Sequence, residues 1–262
     1  MKTASNLPSD FFYCEAAGLY WLDQADAAKT VKVISVGDDF LELTRIESIS
    51  ATAEAAYNFG KSLAKTHLAG AKSFGCAPDT WQNQFGQGKD GYFGPLSDPV
   101  KMAVYESESL TDYFLNGRLL PMVEIGIKRG IYNYNDYEQT EKLAGKLDIF
   151  FKPLELSKPA RVHGDLWNGN VLWTHWKNQT EAILIDPAAH GGCAEEDLAM
   201  LDLFGAPYYN KIIQGYSSIN PLFSDFDFRL NLWQLYPISG HAIFFGGDYI
   251  SQYRSMLNSY LY

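Results

Sequence analysis

The most informative segment of the chain spans residues 161–173 and reads Arg161-Val162-His163-Gly164-Asp165-Leu166-Trp167-Asn168-Gly169-Asn170-Val171-Leu172-Trp173. It is followed by Ala182-Ile183-Leu184-Ile185-Asp186-Pro187. The short apolar runs at 171–173 and 182–185 are separated by polar residues and predict a small hairpin. Asp165 and Asn170 then lie on one loop before the first strand, and Asp186 lies at the end of the second strand. Because the two strands pair, we expect Asn170 and Asp186 to converge on one point.

This set of polar side chains meets the requirements of phosphoryl transfer. A hydroxyl that attacks the terminal phosphate of a nucleotide needs a carboxylate to accept its proton, and Mg²⁺ on the phosphates prefers carboxylate and amide oxygens. Protein kinases use the pattern H-x-D-x-x-x-x-N with a later metal-binding Asp. His163, Asp165 and Asn170 have that spacing, and Asp186 follows in an apolar context. A polar turn with an unrelated Asp at a strand end is the alternative, but the features together favour a kinase.

A second pair of charges near the start of the chain belongs to the same hypothesis. In kinases a lysine on a strand holds the nucleotide phosphates and is itself held by a glutamate on the next helix. Lys2 and Glu15 could form such a pair, with Glu15 on a helix that begins after Ser9 or Asp10. Their spacing alone favours a disordered terminal lysine and a solvated glutamate. Only the downstream motif makes the ion pair worth proposing.

Composition sets the broad class of the protein. The 262 residues contain 21 Lys and Arg against 31 Asp and Glu, a net charge of −10, which disfavours a general nucleic-acid binder. Apolar residues make up 47% of the chain and exclude a mainly disordered state. No apolar run approaches a membrane span, and the first residues lack the apolar core of a signal peptide. With three scattered cysteines (Cys14, Cys76 and Cys193), we expect a cytoplasmic protein without disulfides.

Hydrophobic periodicity predicts further elements along the chain. The expected elements are a helix over 11–22, a hairpin formed by 31–36 and 40–46, a helix over 51–67, a long surface connection over 70–98, helices over 100–115 and 136–150, and a mostly helical remainder from 195 to 262.

The sequence resembles the fructosamine kinases, also called ketosamine 3-kinases, which share the protein-kinase-like fold with aminoglycoside and choline phosphotransferases. HGDLWNGN resembles the catalytic loop of that family, and IDPAAHGGCAEEDLAM resembles the segment after its metal-binding Asp. MKTASNLPSDFFYCEAAGL, GYFGPL and LWQLYPISGHAIFFGGDY resemble its lysine strand, a connecting segment and its C-terminal helices. The likeness covers nearly the whole chain. It implies an α+β, two-lobed fold, with a truncated N-terminal sheet lobe at 1–49 and a mainly helical lobe at 50–262.

The resemblance also implies an activity and a set of roles. The activity is ATP-dependent phosphorylation of the sugar 3-hydroxyl of a ketosamine, a fructosamine- or ribulosamine-type glycated amine. The product is unstable and sheds the sugar, so the reaction repairs the amine. By position, Asp165 is the base for the acceptor hydroxyl, Asn170 and Asp186 hold Mg²⁺, Lys2 contacts the ATP phosphates, and Glu15 holds Lys2. His163 is expected to brace the catalytic loop.

Two further residues are candidates for acceptor binding. Trp167 is placed to stack on the sugar or on the apolar part of the linked amine, and packing in the core is an equal alternative. His241 lies on the helices that face the acceptor cleft in the family. A core histidine with all its hydrogen bonds made is the favoured alternative there.

Two alternative functions remain open at this point. A kinase of the aminoglycoside or choline type shares HGDxxxxN but usually lacks the LWxGN and DLAM context. A non-catalytic nucleotide-binding protein is the other alternative, because the family begins with a Gly-rich hairpin upstream of the lysine. Here the chain begins at Met1-Lys2. We therefore expect a truncated sequence or a member without this cover, with phosphate positioning that depends on Lys2 and metal. The sequence carries no signal for the oligomeric state.

Overall fold

The computed structural model describes residues 1–4, 6–85, 90–154 and 156–262. The strands are β1 (Lys2–Thr3), β2 (Lys29–Thr30), β3 (Val33–Gly37), β4 (Phe40–Leu43), β5 (Gly91–Phe93), β6 (Val100–Met102), β7 (Ala160–Val162), β8 (Val171–Trp176), β9 (Gln179–Leu184) and β10 (His190–Gly192). The helices are α1 (Phe11–Asp23), α2 (Ala53–Leu68), α3 (Asp79–Phe85), α4 (Leu110–Phe114), α5 (Leu120–Lys128), α6 (Tyr134–Glu141), α7 (Ala144–Phe150), α8 (Ala194–Leu203), α9 (Tyr209–Ser217), α10 (Phe226–Phe245) and α11 (Asp248–Leu261). A π-helical turn, Leu115–Leu119, joins α4 to α5.

The N-terminal part is a small antiparallel sheet with one helix on it. Strand β4 lies between β1 and β3, with Lys2 opposite Leu41. Helix α1 packs its apolar side against this sheet, where Phe12, Ala16 and Leu41 are buried together. Because Lys2 is in the edge strand and Glu15 is on the packed helix, the sheet and helix bring the two side chains to the same place.

Strand β2 connects the N-terminal part to the predicted catalytic hairpin. It pairs in parallel with β9, with Lys29 opposite Ile183, so the second sheet has the order β2-β9-β8. The hairpin β8–β9 has the expected antiparallel register, with Val171 opposite Leu184. The division of the chain at residue 49 stays a prediction.

Helices make up most of the remainder and enclose two apolar cores. One core lies between α4, α5, α10 and α11 and includes Phe114 stacked edge-on against Trp233 at 4.8 Å between ring centroids. The other lies between α2, α9 and the catalytic hairpin. Helices α2 and α9 approach so closely that a Cβ atom at Gly60 would lie 2.0 Å from the carbonyl oxygen of Ile212.

Some of the expected elements are wrong. The segment 100–115 is not one helix, because β6 pairs with β5 and α4 begins only after Ser109, whose hydroxyl accepts the backbone N–H of Asp112. The expected connection over 70–98 contains α3 and β5, with 86–89 outside the described residues. Strands β7 and β10 and helix α5 were not predicted. Among the described residues, none of the helices is both long and apolar enough to cross a bilayer.

Candidate active site

The predicted catalytic loop, residues 163–170, is held in place by a buried carboxylate. The loop follows β7, and its first two backbone N–H groups, those of His163 and Gly164, donate to Asp197 at 2.7 Å and 2.9 Å. Gly164 has φ +81°, and a Cβ atom there would lie 2.2 Å from the carbonyl oxygen of Ala188. The imidazole of His163 donates from Nε2 to the carbonyl oxygen of Ile185 at 2.8 Å. These contacts set the position of the residues that follow in the loop.

The buried carboxylate is that of Asp197, which lies in the AEEDLAM segment and is not among the catalytic or binding residues predicted from the sequence. It lies in the first turn of α8 and is almost fully buried. His67 donates to it from Nε2 at 3.1 Å and shares a 2.9 Å hydrogen bond with Tyr216 through Nδ1. The core therefore contains a network of five hydrogen-bonding groups: the Asp197 carboxylate, the His67 ring, the Tyr216 hydroxyl and the two loop amides. The only signal in the sequence was the resemblance to the family's DLAM segment.

Asp165 and Asn170 are adjacent in space. The Nδ2 group of Asn170 donates to the backbone oxygen of Asp165 at 2.8 Å and to its Oδ2 at 3.1 Å. Burial raises the pKa of Asp165 to about 7, with the nearby charge of Asp186 adding to the shift and the bond from Asn170 opposing it. A carboxylate with such a pKa can accept a proton near neutral pH. Among the described residues, Oδ1 of Asn170 accepts no hydrogen bond, so this amide oxygen remains available to a ligand.

Lys2 lies between two carboxylates. Its Nζ is 2.8 Å from Oε1 of Glu15 and 2.5 Å from Oδ1 of Asp186. Burial by itself lowers the pKa of Lys2, but the two carboxylates outweigh burial and hold that pKa above its ordinary value. Asp186 follows β9 with φ 56°, a left-handed conformation that turns the chain out of the hairpin. Lys2 is therefore an ordered cation next to the predicted metal ligand.

One cleft of about 260 Å³ is lined by all seven residues predicted from the sequence to take part in catalysis or binding. They are Lys2, Glu15, Asp165, Trp167, Asn170, Asp186 and His241. A larger cavity of about 560 Å³ lies between Trp21, Cys76, Trp81 and Arg161, but none of the seven lines it. The chemistry of the lining side chains, rather than volume, identifies the candidate site.

One side of this cleft is aromatic. Trp167 is 41% exposed and is not a core residue, and His241 is only partly buried. Nδ1 of His241 donates to the carbonyl oxygen of Pro237 at 2.7 Å, one helical turn earlier. The structure thus places both side chains on the cleft, and their contact with an acceptor stays a prediction.

Sequence reasoning missed another wall of the cleft, the hairpin β5–β6. Tyr92 donates to Oδ1 of Asp10 at 2.5 Å, so the hairpin is tied to the start of α1. Its tip is tied to the helical part, where Arg129 donates to Asp98 at 2.5 Å and 3.0 Å. Phe93 and the residues up to Leu96 line the cleft between these attachments. The segment GYFGPL by itself predicts only a likeness to the family, because the position of the hairpin on the cleft depends on its contacts with distant residues, Asp10 and Arg129.

Comparisons with known proteins agree on one family. The family model described as "Fructosamine kinase" matches residues 1–262. The chain is 31% identical over 259 residues to a probable ketoamine kinase of Synechocystis, and this alignment covers 95% of the chain and 78% of that protein. It is 28% identical over 259 residues to a probable ketoamine kinase of Vibrio vulnificus, in an alignment that covers 95% of the chain and 80% of that protein.

Solved structures support the same assignment and the fold. The crystal structure of a candidate fructosamine-3-kinase from Thermobifida fusca superposes with a TM-score of 0.83 at 34% identity and covers 98% of this chain and 83% of that one. The streptomycin–ATP complex of an aminoglycoside phosphotransferase superposes with a TM-score of 0.58 at 17% identity, covering 94% and 79%, which shows a shared α+β protein-kinase-like fold. The chain belongs to the fructosamine kinase family.

Proposed function

We propose that this chain transfers the terminal phosphate of ATP to the sugar 3-hydroxyl of a ketosamine. The observation that carries the proposal is the meeting of Lys2 and Asp186 at 2.5 Å in the cleft that Asp165 and Asn170 also line. Membership in a kinase family supports phosphotransferase activity, and the names of the relatives support a ketoamine as acceptor. Deglycation then follows from the instability of the phosphorylated product.

Asp165 is proposed as the base for the acceptor hydroxyl. Asp165 lines the cleft, and Asn170 orients its carboxylate by donating to Oδ2 at 3.1 Å. With a pKa of about 7, the group is largely ionised just above neutral pH and can take the hydroxyl proton. Asp197 and His163 do not contact the substrate in this proposal; they hold the loop that carries Asp165.

The phosphate side of the cleft is proposed to consist of Lys2, Glu15, Asp186 and Asn170. Lys2 is positioned by Glu15 to contact phosphate oxygens. A carboxylate oxygen of Asp186 and Oδ1 of Asn170 are the donor types that Mg²⁺ prefers, and Mg²⁺ sites usually add phosphate oxygens and water. When bound there, the ion would neutralise charge on the phosphates. The free amide oxygen of Asn170 is the feature of this structure that fits the metal.

ADP release measured with a panel of acceptors tests the proposal. The panel contains a fructosamine, a ribulosamine, an aminoglycoside and choline, each with ATP and Mg²⁺. We expect turnover with the ketosamines and a loss of at least about 100-fold in Asp165→Asn. Asp227→Asn, the same change at an exposed position on α10, is the matched control.

The outcomes test the identity of the acceptor and the role of Asp165 separately. Turnover only with the aminoglycoside or choline would replace the ketosamine as acceptor. Nucleotide binding without turnover of any acceptor would identify a binding protein. Equal activity of the wild type and Asp165→Asn would remove Asp165 from its role.

A further inference from the structure

A set of aromatic side chains surrounds the outer part of the cleft, and we call it the aromatic rim. His241 is at its centre, with ring centroids 5.0 Å from Phe204, 5.4 Å from Phe245 and 5.2 Å from Tyr249. Trp167 joins the rim through Phe204, at 6.1 Å between centroids. Because the rings come from the catalytic loop, the end of α8 and the α10–α11 corner, they form one surface only in the folded chain.

The aromatic rim is unusually accessible for a group of large rings in mutual contact. Trp167, Phe204 and Phe245 are 41%, 36% and 61% exposed. Trp233, on the same helix as Phe245, is only 2% exposed. Contiguous exposed apolar surface of this kind is a feature of binding sites. Trp167, His241 and Phe245 also line the cleft that contains Asp165, so the rim is continuous with the proposed reaction site.

The electrostatics of the aromatic rim favour a cation. The bond from Nδ1 of His241 to Pro237 leaves Nε2 as a hydrogen-bond acceptor, and burial lowers the pKa of His241, so the ring is neutral at physiological pH. Of the described residues that line the cleft, only Lys2 carries a positive charge, and it is paired with Glu15 and Asp186. The faces of aromatic rings carry partial negative charge and attract ammonium groups.

We propose that the aromatic rim is the subsite for the charged nitrogen of the acceptor and for the group that this nitrogen carries. The inference rests on the proposed function, since a ketosamine is a sugar joined to a secondary ammonium. The sugar hydroxyl reaches Asp165 while the ammonium lies against the rings. The rim then selects cationic acceptors over neutral ones of the same shape.

Two acceptors of the same shape, one carrying a positive charge and one neutral, test the inference. One is N-butyl fructosamine, and the other is the ether in which oxygen replaces its nitrogen. Calorimetric Kd and steady-state KM are measured for the wild type, Phe245→Leu and Phe245→Tyr. Phe245→Leu should weaken the charged acceptor about 2- to 5-fold and leave the ether unchanged, and Phe245→Tyr should retain wild-type affinity. Phe228→Leu, at an exposed ring near the other end of α10, is the control.

Each outcome bears on one hypothesis. A wild type that binds the amine and the ether equally, or a Phe245→Leu variant that weakens both by the same factor, overturns the cation subsite. Preferred binding of the amine that is lost in Phe245→Leu supports the subsite even if neither compound is phosphorylated. In that case the proposed kinase reaction fails and the subsite stands.

Discussion

The Nζ atom of Lys2 lies 2.5 Å from Oδ1 of Asp186, and this contact joins the first strand of the small sheet to the end of the catalytic hairpin. Oε1 of Glu15, on α1, lies 2.8 Å from the same Nζ atom. Phosphoryl transfer depends mainly on positioning and on charge placed where it develops. The contact therefore brings the proposed phosphate-binding cation next to the proposed metal ligand.

Replacing Lys2 should affect ATP use more than acceptor binding. Lys2→Met removes the cation and leaves Glu15 and Asp186 without their shared partner. We expect kcat/KM for ATP to fall by about 100-fold, with KM for the acceptor little changed. Steady-state kinetics with each substrate varied in turn give both values. Lys142→Met, at an exposed lysine after α6, should behave as the wild type. A smaller loss than about threefold in Lys2→Met would contradict the role of the cation.

The raised pKa of Asp165 predicts a specific dependence of stability on pH. An unfolded Asp titrates near about 3.9, whereas burial raises the pKa of Asp165 in the fold to about 7. The folded state therefore holds this proton more tightly, and the wild type loses stability as pH rises through this window. Asp165→Asn has no such group, so its stability relative to the wild type should increase with pH by at most a few kcal/mol.

Urea unfolding at about pH 5 and about pH 8 measures this difference. Asp227→Asn serves again as the control, because its carboxylate is exposed. If the Asp165→Asn variant and the wild type differ by the same free energy of unfolding at both pH values, the pKa of Asp165 is not raised in the folded state.

Asp197 should act as a positioning residue for the catalytic loop. Asp197→Asn replaces one acceptor oxygen by an NH2 group, which cannot accept a hydrogen bond from a loop N–H. We expect kcat to fall by about 10- to 100-fold with little change in KM, and faster hydrogen exchange at the amides of His163 and Gly164. Exchange measured by mass spectrometry together with kinetics tests both effects.

Glu195→Gln is the matched comparison for Asp197→Asn, on the same helix. Glu195 is bonded to Arg229 at 2.7 Å and 2.8 Å in the core, so its loss should lower stability without touching the loop amides. If both variants lower stability alike and neither changes exchange at His163 and Gly164, Asp197 is only a structural residue.

The close approach of α2 and α9 predicts intolerance to one methyl group. A Cβ atom at Gly60 would lie 2.0 Å from the backbone oxygen of Ile212, so Gly60→Ala must push the helices apart. We expect a loss of about 1–3 kcal/mol in the free energy of unfolding. Gly145→Ala, in α7, has no atom within 4 Å of the added Cβ and should be neutral or stabilising. Thermal and urea unfolding of both variants provide the measurement, and equal stabilities would contradict the packing.

Local patterns in the sequence predicted the parts of the site that depend on short-range order. The hairpin β8–β9 follows from two apolar runs, and the spacing of His163, Asp165 and Asn170 follows from one loop. The helix that carries Glu15 was expected from its periodicity, and it begins at Phe11. Segment 100–115 was predicted wrongly because strand β6 is stabilised by its partner β5 and not by its own propensity.

The sequence by itself therefore determined the family and the chemical types available for the site: one loop carboxylate, an amide five residues later, and an Asp at the end of a strand. Only the tertiary structure decided that Lys2 is ordered and lines the cleft, since its spacing from Glu15 favoured a disordered lysine. Tertiary packing also decided that Asp197 faces the catalytic loop and that rings from three elements meet around His241. The physical reason is that these contacts join distant parts of the chain, and their energy exists only after the sheet and helices have packed together.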